Sequence, residues 1–317
     1  MEIIANVTEG VIKKAAKALK DGHLVAFPTE TVYGLGADAT NEKAISRIYS
    51  VKGRPTDHPL IVHISSINQL DKWAIDIPDY AVKLAKEFWP GPMTLILKRS
   101  DLAKDFITGG QDNIGLRVPS QPVAIELLNE FEKIGGQGVA APSANKFGAV
   151  SPTSAKAVKD EIGNLLKIED LILDGGQSLV GIESTIIDCT KGSPTVLRPG
   201  AITYKMIKVL LGYIKNEKYA QIRVSGQFKS HYSPKAIVLL DTKPEPGDGF
   251  IALAEILTPT GVIRLATPID IDMFARDLYA ALRLGDDKNL SRIVVYTPEG
   301  GGLSAAIRDR LEKAKSK

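Results

Sequence analysis

The 317-residue chain has a single cysteine, Cys189. No disulfide framework can form within it, and a reducing compartment, the cytoplasm, is the expected setting. Aromatic residues make up only 6% of the chain, too few for a nucleic-acid surface built from stacked bases. No apolar run approaches the roughly 20 residues needed to cross a bilayer. The longest, such as Leu60–Ile64 and Ile237–Leu240, have the length of strands. The N-terminus shows no basic segment leading into an apolar stretch, so no secretory leader is expected. Charge of one sign is also lacking: 40 basic residues against 37 acidic ones leave a net +3, too little to draw in RNA by overall attraction. Lys13, Lys14, Lys17 and Lys20 on one helix, and Lys313, Lys315 and Lys317 in the tail, form local clusters. Charge runs of this kind ordinarily serve as solvated faces.

Several catalytic signatures are missing as well. The sequence has no Gly-x-x-x-x-Gly-Lys-Ser/Thr and no Gly-x-Gly-x-x-Gly opening a helix, so a nucleotide would need another cradle. Without His-Glu-x-x-His, paired Cys-x-x-Cys or Gly-x-Ser-x-Gly, neither zinc hydrolysis nor a serine nucleophile elbow is supported. The 4 histidines are dispersed. His58 and His63 lie five apart at a strand start, a spacing that fits no helical metal pair, and no protein metal site is expected. Gly300-Gly301-Gly302 reads as a plain strand-to-helix connection.

What is present is an ordinary globular composition, 44% hydrophobic, and enough length for about two domains. Val11, Ile12, Ala15, Ala16 and Leu19 recur at helical spacing, with Thr8 as N-cap and Asp21-Gly22 as the stop. Strands are expected at His23–Pro28, Leu60–Ile64, Met93–Lys98, Ile114–Val118, Gly138–Ala141, Leu171–Leu173, Ser184–Cys189 and Thr195–Leu197. Helices are expected at about 41–52, 79–88, 122–132, 154–162 and 203–211. Alternation of this sort gives an α/β domain, and the run of strands after Leu171 argues for a mixed sheet. The stretch 213–235 loses apolar periodicity and reads as a linker. Beyond it, strands and helices resume as a smaller, Rossmann-like α/β domain over 236–317, leaving 1–212 as the main domain.

Two features suit anion chemistry. Lys52-Gly53-Arg54 ends a helix, where a planar guanidinium and a compact ammonium can turn toward one anion; helix C-terminal capping explains the pair equally well. Ala141-Pro142-Ser143-Ala144-Asn145 offers small residues with hydroxyl and amide groups, as does Ser151-Pro152, whose spacing also fits an N-cap followed by proline. Turn chemistry alone would account for both.

A third string, Phe27–Gly36, adds specificity. Together with Lys52-x-Arg54, His58–His63, Trp89-Pro90-Gly91-Pro92, Leu116–Pro119, Ala141–Asn145, Ser151-Pro152-Thr153, Gly181–Thr185 and Leu197–Gly200, it resembles the YrdC-like threonylcarbamoyl-AMP synthases over about residues 8–212. His231-Tyr232-Ser233-Pro234 and the smaller domain resemble the two-domain branch of that family. The resemblance implies a twisted mixed sheet with flanking helices. It also implies synthesis of L-threonylcarbamoyladenylate and pyrophosphate from L-threonine, bicarbonate and ATP with Mg²⁺, for tRNA modification beside the anticodon by a downstream threonylcarbamoyl transferase complex.

Carried over by position, Lys52, Arg54, Ser143 and Asn145 match the catalytic signature. Arg54, His58, Asn113, Ser143, Ser151, Arg198 and Tyr232 would surround ATP. Thr31, His63, Arg117, Ala141 and Ser184 would surround threonine, with Arg117 holding its carboxylate bidentately. The linker would fold over the site with His231 and Tyr232. The rival reading is an RNA-binding or assembly module of the same fold with weak RNA binding and no adenylation. The intact Lys-x-Arg and Ser-x-Asn set favours the enzyme.

Overall fold

The computed structural model describes residues 2–213, 222–224, 226 and 232–315. Local sequence signals set the helix ends. The helix Glu9–Lys20 opens where the Thr8 side chain accepts from the Val11 N–H and closes on Asp21, satisfying backbone groups that the first and last turns leave open. Asn41, Ser154 and Thr203 cap the helices Glu42–Lys52, Ala155–Ile162 and Tyr204–Leu211 in the same manner. Ser154, not Ser151, begins its helix, so the N-cap reading of Ser151-Pro152 is corrected. Ser151 is fully buried and its hydroxyl has another use, described below.

The strands form one mixed sheet of 10. Its spatial order is Ile3–Ile4, Leu171–Leu173, Val25–Phe27, Gly34–Asp38, Val139–Ala140, Ile61–His63, Asn113–Arg117, Met93–Lys98, Thr185–Asp188 and Thr195–Arg198. Parallel pairs such as Ile61–His63 with Asn113–Arg117 sit beside antiparallel ones such as Val25–Phe27 with Gly34–Asp38. The strand Gly34–Asp38 is absent from the sequence-based expectation, because glycine is depleted in strands. It is a strand because the space demands glycine: a β-carbon on Gly36 would come within 2.8 Å of both Phe27 and Val139.

One core cluster, including Leu35, Ile48, Trp73 and Leu116, fills one side of this sheet; another, including Leu19, Phe27 and Phe131, fills the other. Each large side chain so buried contributes about 2–3 kcal/mol. The second domain is built on four parallel strands in the order Ile237–Leu240, Arg292–Val295, Gly249–Ile251, Ile263–Ala266, packed by the helices Ile271–Asp287 and Leu303–Ala314. Its core is continuous with Val32, Val150, Ile182 and Tyr232 of the preceding chain. No helix among the described residues is long and apolar enough to cross a membrane.

The basic clusters are largely neutralised. Lys13 pairs with Glu9, Lys17 with Asp21, Lys313 with Asp309 and Lys315 with Glu312, while Lys20 donates to Gly135 O. Lys317 lies outside the described residues.

Candidate active site

A cleft opens where several strands of the large sheet end. It is lined by Thr31, Arg54, His63, Arg117, Ala141, Ser143, Ser184, Arg198 and Tyr232, all named from sequence, together with Thr29, Tyr33, Glu183 and Gly226. His63 and Arg117 face the same region because their strands pair in parallel register, His63 opposite Arg117. Ser143 is brought in by a bridge to Gly34. Ser184 leads into the strand Thr185–Asp188, and Arg198 returns on the antiparallel neighbour opposite Ile186.

Three buried guanidiniums, Arg54, Arg117 and Arg198, stand in the cleft wall. Arg117 pairs with Glu30 at 2.6 Å, donates to Thr31 Oγ1 at 2.8 Å and reaches Gly91 O at 3.3 Å. Glu30 is fixed in turn by the Ser120 N–H. An incoming carboxylate would therefore meet a guanidinium already oriented by Glu30, and would compete with Glu30 for its fork. Thr29 and Thr31 share a hydroxyl contact of 2.8 Å beside it. Arg198 donates to Ser184 O and Ser184 Oγ at 3.0 and 3.1 Å, and Ser184 Oγ also meets Thr94 Oγ1. Burial lowers the pKa of Arg198 and brings that of Arg54 down to about 10, the cost of placing guanidiniums where an anion is to be bound. Arg54 is braced by Pro59 O at 3.0 Å and lies over the Phe147 ring, which also meets His58.

Burial, helped by Arg117, holds His63 down at about 3, so it is a neutral imidazole at working pH. Its Nδ1 has no hydrogen-bond partner among the described residues, and the ring stands edge-on to Phe27. A stability consequence follows. Between pH 6.5 and about 3 the unfolded chain takes up a proton at His63 that the folded chain refuses. Folding stability should therefore fall as pH drops through that window, by up to about 1.4 kcal/mol per unit. Denaturant titrations at pH 7.5, 6 and 5 should show this slope flattened in His63→Gln; parallel slopes in both proteins would reject it.

Other sequence-named residues stand outside the cleft wall. Lys52, 3% exposed, donates to Ser143 O and Asn145 O at 2.6 Å each. It braces the loop that carries Ser143, and burial lowers its pKa well below the ordinary lysine value. The Asn145 amide donates to Lys146 O and Ala149 O, closing the same loop on itself. Asn113 lines a separate apolar slot with Pro59, Ile96, Ile186, Arg223 and Val224. Ser151 donates to Glu183 Oε1 at 2.7 Å. His231 lies outside the described residues. Glu30 and Glu183 have no role that the sequence alone assigns; a carboxylate set among small polar residues near a strand end is the signal each carries.

Buried Arg54 and Arg198 beside a polar pocket of Thr31, His63 and Arg117 form an anion-binding site on an α/β fold, as an enzyme of the nucleotidyltransferase type requires. Known proteins agree. The family model described as Telomere recombination matches residues 17–200, and that described as Threonylcarbamoyl-AMP synthase, C-terminal domain, matches residues 202–316. The chain is 39% identical to the threonylcarbamoyl-AMP synthase of Pyrococcus abyssi, over 99% of this chain and 98% of that protein. It is 36% identical to that of Bacillus subtilis, over 96% and 92%. The crystal structure of P. abyssi Sua5 complexed with L-threonine superposes with a TM-score of 0.88 at 37% identity, covering 99% of this chain and 98% of that one. The chain belongs to the threonylcarbamoyl-AMP synthase family.

Proposed function

We propose that this protein condenses L-threonine, bicarbonate and ATP into L-threonylcarbamoyladenylate, releasing pyrophosphate. The observation that carries this reading is one cleft lined both by Arg54, Arg198 and Ser143 and by Thr31, His63, Arg117 and Ser184. The first group suits a triphosphate and the second an amino acid. Threonine amine and bicarbonate combine to a carbamate with loss of water. A carbamate oxygen then attacks the α-phosphate, and the bond to pyrophosphate breaks. No protein nucleophile is needed: the side chains position the two partners and stabilise charge on the phosphorus and the leaving group.

Neutral His63 offers a hydrogen bond without adding a charge beside Arg117. Mg²⁺ would be held by the phosphates of ATP and would supply charge neutralisation there, since Glu183 in the cleft wall and Glu30 behind Arg117 are each engaged by an arginine. The product is a labile mixed anhydride, which calls for exclusion of water while it forms. In this reading 1–212 is the catalytic unit and 213–235 a linker that carries Tyr232 into the cleft wall, and 236–317 is the second unit. The reaction takes place in the cytoplasm, and the adenylate passes to a downstream tRNA threonylcarbamoyl transferase complex.

The test is pyrophosphate release from ATP and Mg²⁺, with threonine and bicarbonate omitted in turn. Strict dependence on both is expected. Release without bicarbonate would replace the proposal by simple amino-acid activation, and RNA binding without any release would replace it by a binding module.

A further inference from the structure

The second domain meets the cleft through two side chains whose polar contacts converge on it. Arg310, on the helix Leu303–Ala314, is fully buried. Its Nε pairs with Glu183 Oε2 at 2.8 Å, and its Nη2 donates to Glu183 O and Pro199 O. Tyr279, on the helix Ile271–Asp287, donates its hydroxyl to the same Glu183 Oε2 at 2.9 Å. The other carboxylate oxygen accepts from Ser151. The Tyr232 ring, itself part of the cleft wall, stacks on Tyr279 at 5.6 Å and lies under the Arg310 guanidinium at 5.6 Å.

The helix is pressed close enough to demand it. Gly181, with φ +76°, lies where a β-carbon would come within 2.3 Å of Arg276 Cα. Nearby, Arg283 grips Glu161 and Val150 O, one residue before Ser151.

Stability alone does not call for this arrangement. A buried ion pair bears the desolvation of both partners and is commonly replaced by apolar side chains without loss, and the interface already has an apolar core of Ile182, Ala275 and Leu278. What the pair controls is the direction of charge. Burial raises the Glu183 pKa, but Arg310 first and Arg198 second outweigh it and hold it at about 2, so a full negative charge sits against the cleft wall. Without Arg310, the cation that remains beside that charge is Arg198.

We propose that Arg310 and Tyr279 are positioning residues for the nucleotide half of the cleft, holding Glu183 so that Tyr232 and Arg198 are presented to ATP. This rests on the synthase reading of the cleft, and it makes the second domain part of the site.

The test uses the full chain, with two readouts. One is the affinity for a non-hydrolysable ATP analogue by calorimetry, which does not depend on turnover. The other is the separate KM values for ATP and threonine in pyrophosphate release. Loss of a donor to a buried carboxylate in Tyr279→Phe is expected to weaken analogue binding and raise KM for ATP about fivefold. KM for threonine should stay within about twofold, since Arg117 is fixed by Glu30, and Thr31 by Arg117 and Thr29, instead. Arg310→Met should weaken analogue binding by about tenfold or more, and adding Glu183→Gln to it should restore most of the loss by removing the stranded charge.

Unchanged analogue affinity in Tyr279→Phe would overturn the proposal, even if Arg310→Met fails to fold. A parallel rise in both KM values, or failure of Glu183→Gln to rescue a folded Arg310→Met, would reduce the contact to domain adhesion. If the unaltered protein binds the analogue but shows no threonine-dependent release, the synthase reading fails and the calorimetric comparison still decides this one.

Discussion

Arg54→Ala is expected to lower threonine- and bicarbonate-dependent pyrophosphate release by about 100- to 1,000-fold, with a melting temperature close to that of the unaltered protein. Arg54 lines the cleft, where it donates to Pro59 O and lies over the Phe147 ring. Removing it forfeits hydrogen bonds worth about 1 kcal/mol each and relieves the desolvation that lowers its pKa to about 10, so the two effects on stability oppose each other. Charge on the triphosphate in the transition state has no comparable substitute, because a preorganised donor in a water-poor site acts without reorganisation. Arg54→Lys should restore little, since an ammonium cannot supply a planar fork. Steady-state release assays and thermal melts check both; a variant keeping a third of the activity would remove Arg54 from the reaction.

Elements with a repeating apolar face were legible because their signal is local. The periodicity of Val11 to Leu19 between Thr8 and Asp21 yields a helix at Glu9–Lys20, and the apolar run at Met93–Lys98 is a strand over those same residues. Gly34–Asp38 was not legible, because what makes it a strand is the closeness of Phe27 and Val139, which belong to distant parts of the chain. The cleft follows the same division. Arg54, Ser143, Thr31, His63 and Arg198 were marked by compact, specific strings. The roles of Glu30, Glu183, Tyr279 and Arg310 were not, since each is defined by a partner far away in sequence: Arg117 lies 87 residues from Glu30 and Arg310 lies 127 from Glu183. An arginine on an amphipathic helix ordinarily faces water. Only the tertiary structure turns Arg310 inward.

Lys52 and Arg54 read as a matched pair in sequence, and they are expected to part company under mutation. Gly53 closes the helix Glu42–Lys52 in the left-handed conformation, which sends the two side chains to different tasks. Arg54 goes to the cleft, and Lys52 goes to the carbonyls of Ser143 and Asn145. Lys52→Met keeps most of the apolar stem but removes three donors, leaving two carbonyls of a buried loop without their ammonium. Each such loss costs about 1–3 kcal/mol. The variant should therefore be destabilised by about 2–4 kcal/mol, a mechanism-specific loss near the top of the usual range for single substitutions.

Activity should fall at least as far as in Arg54→Ala, by a different route. Displacement of the loop moves Ser143, and a shift of about 1 Å in a positioning group can cost 100-fold. Binding of an ATP analogue should weaken together with stability in Lys52→Met, whereas Arg54→Ala should weaken binding and turnover with stability preserved. If Lys52→Met melted like the unaltered protein and lost only turnover, the ammonium would have to act on phosphate directly. The bonds to Ser143 and Asn145 would then have to break when ATP binds.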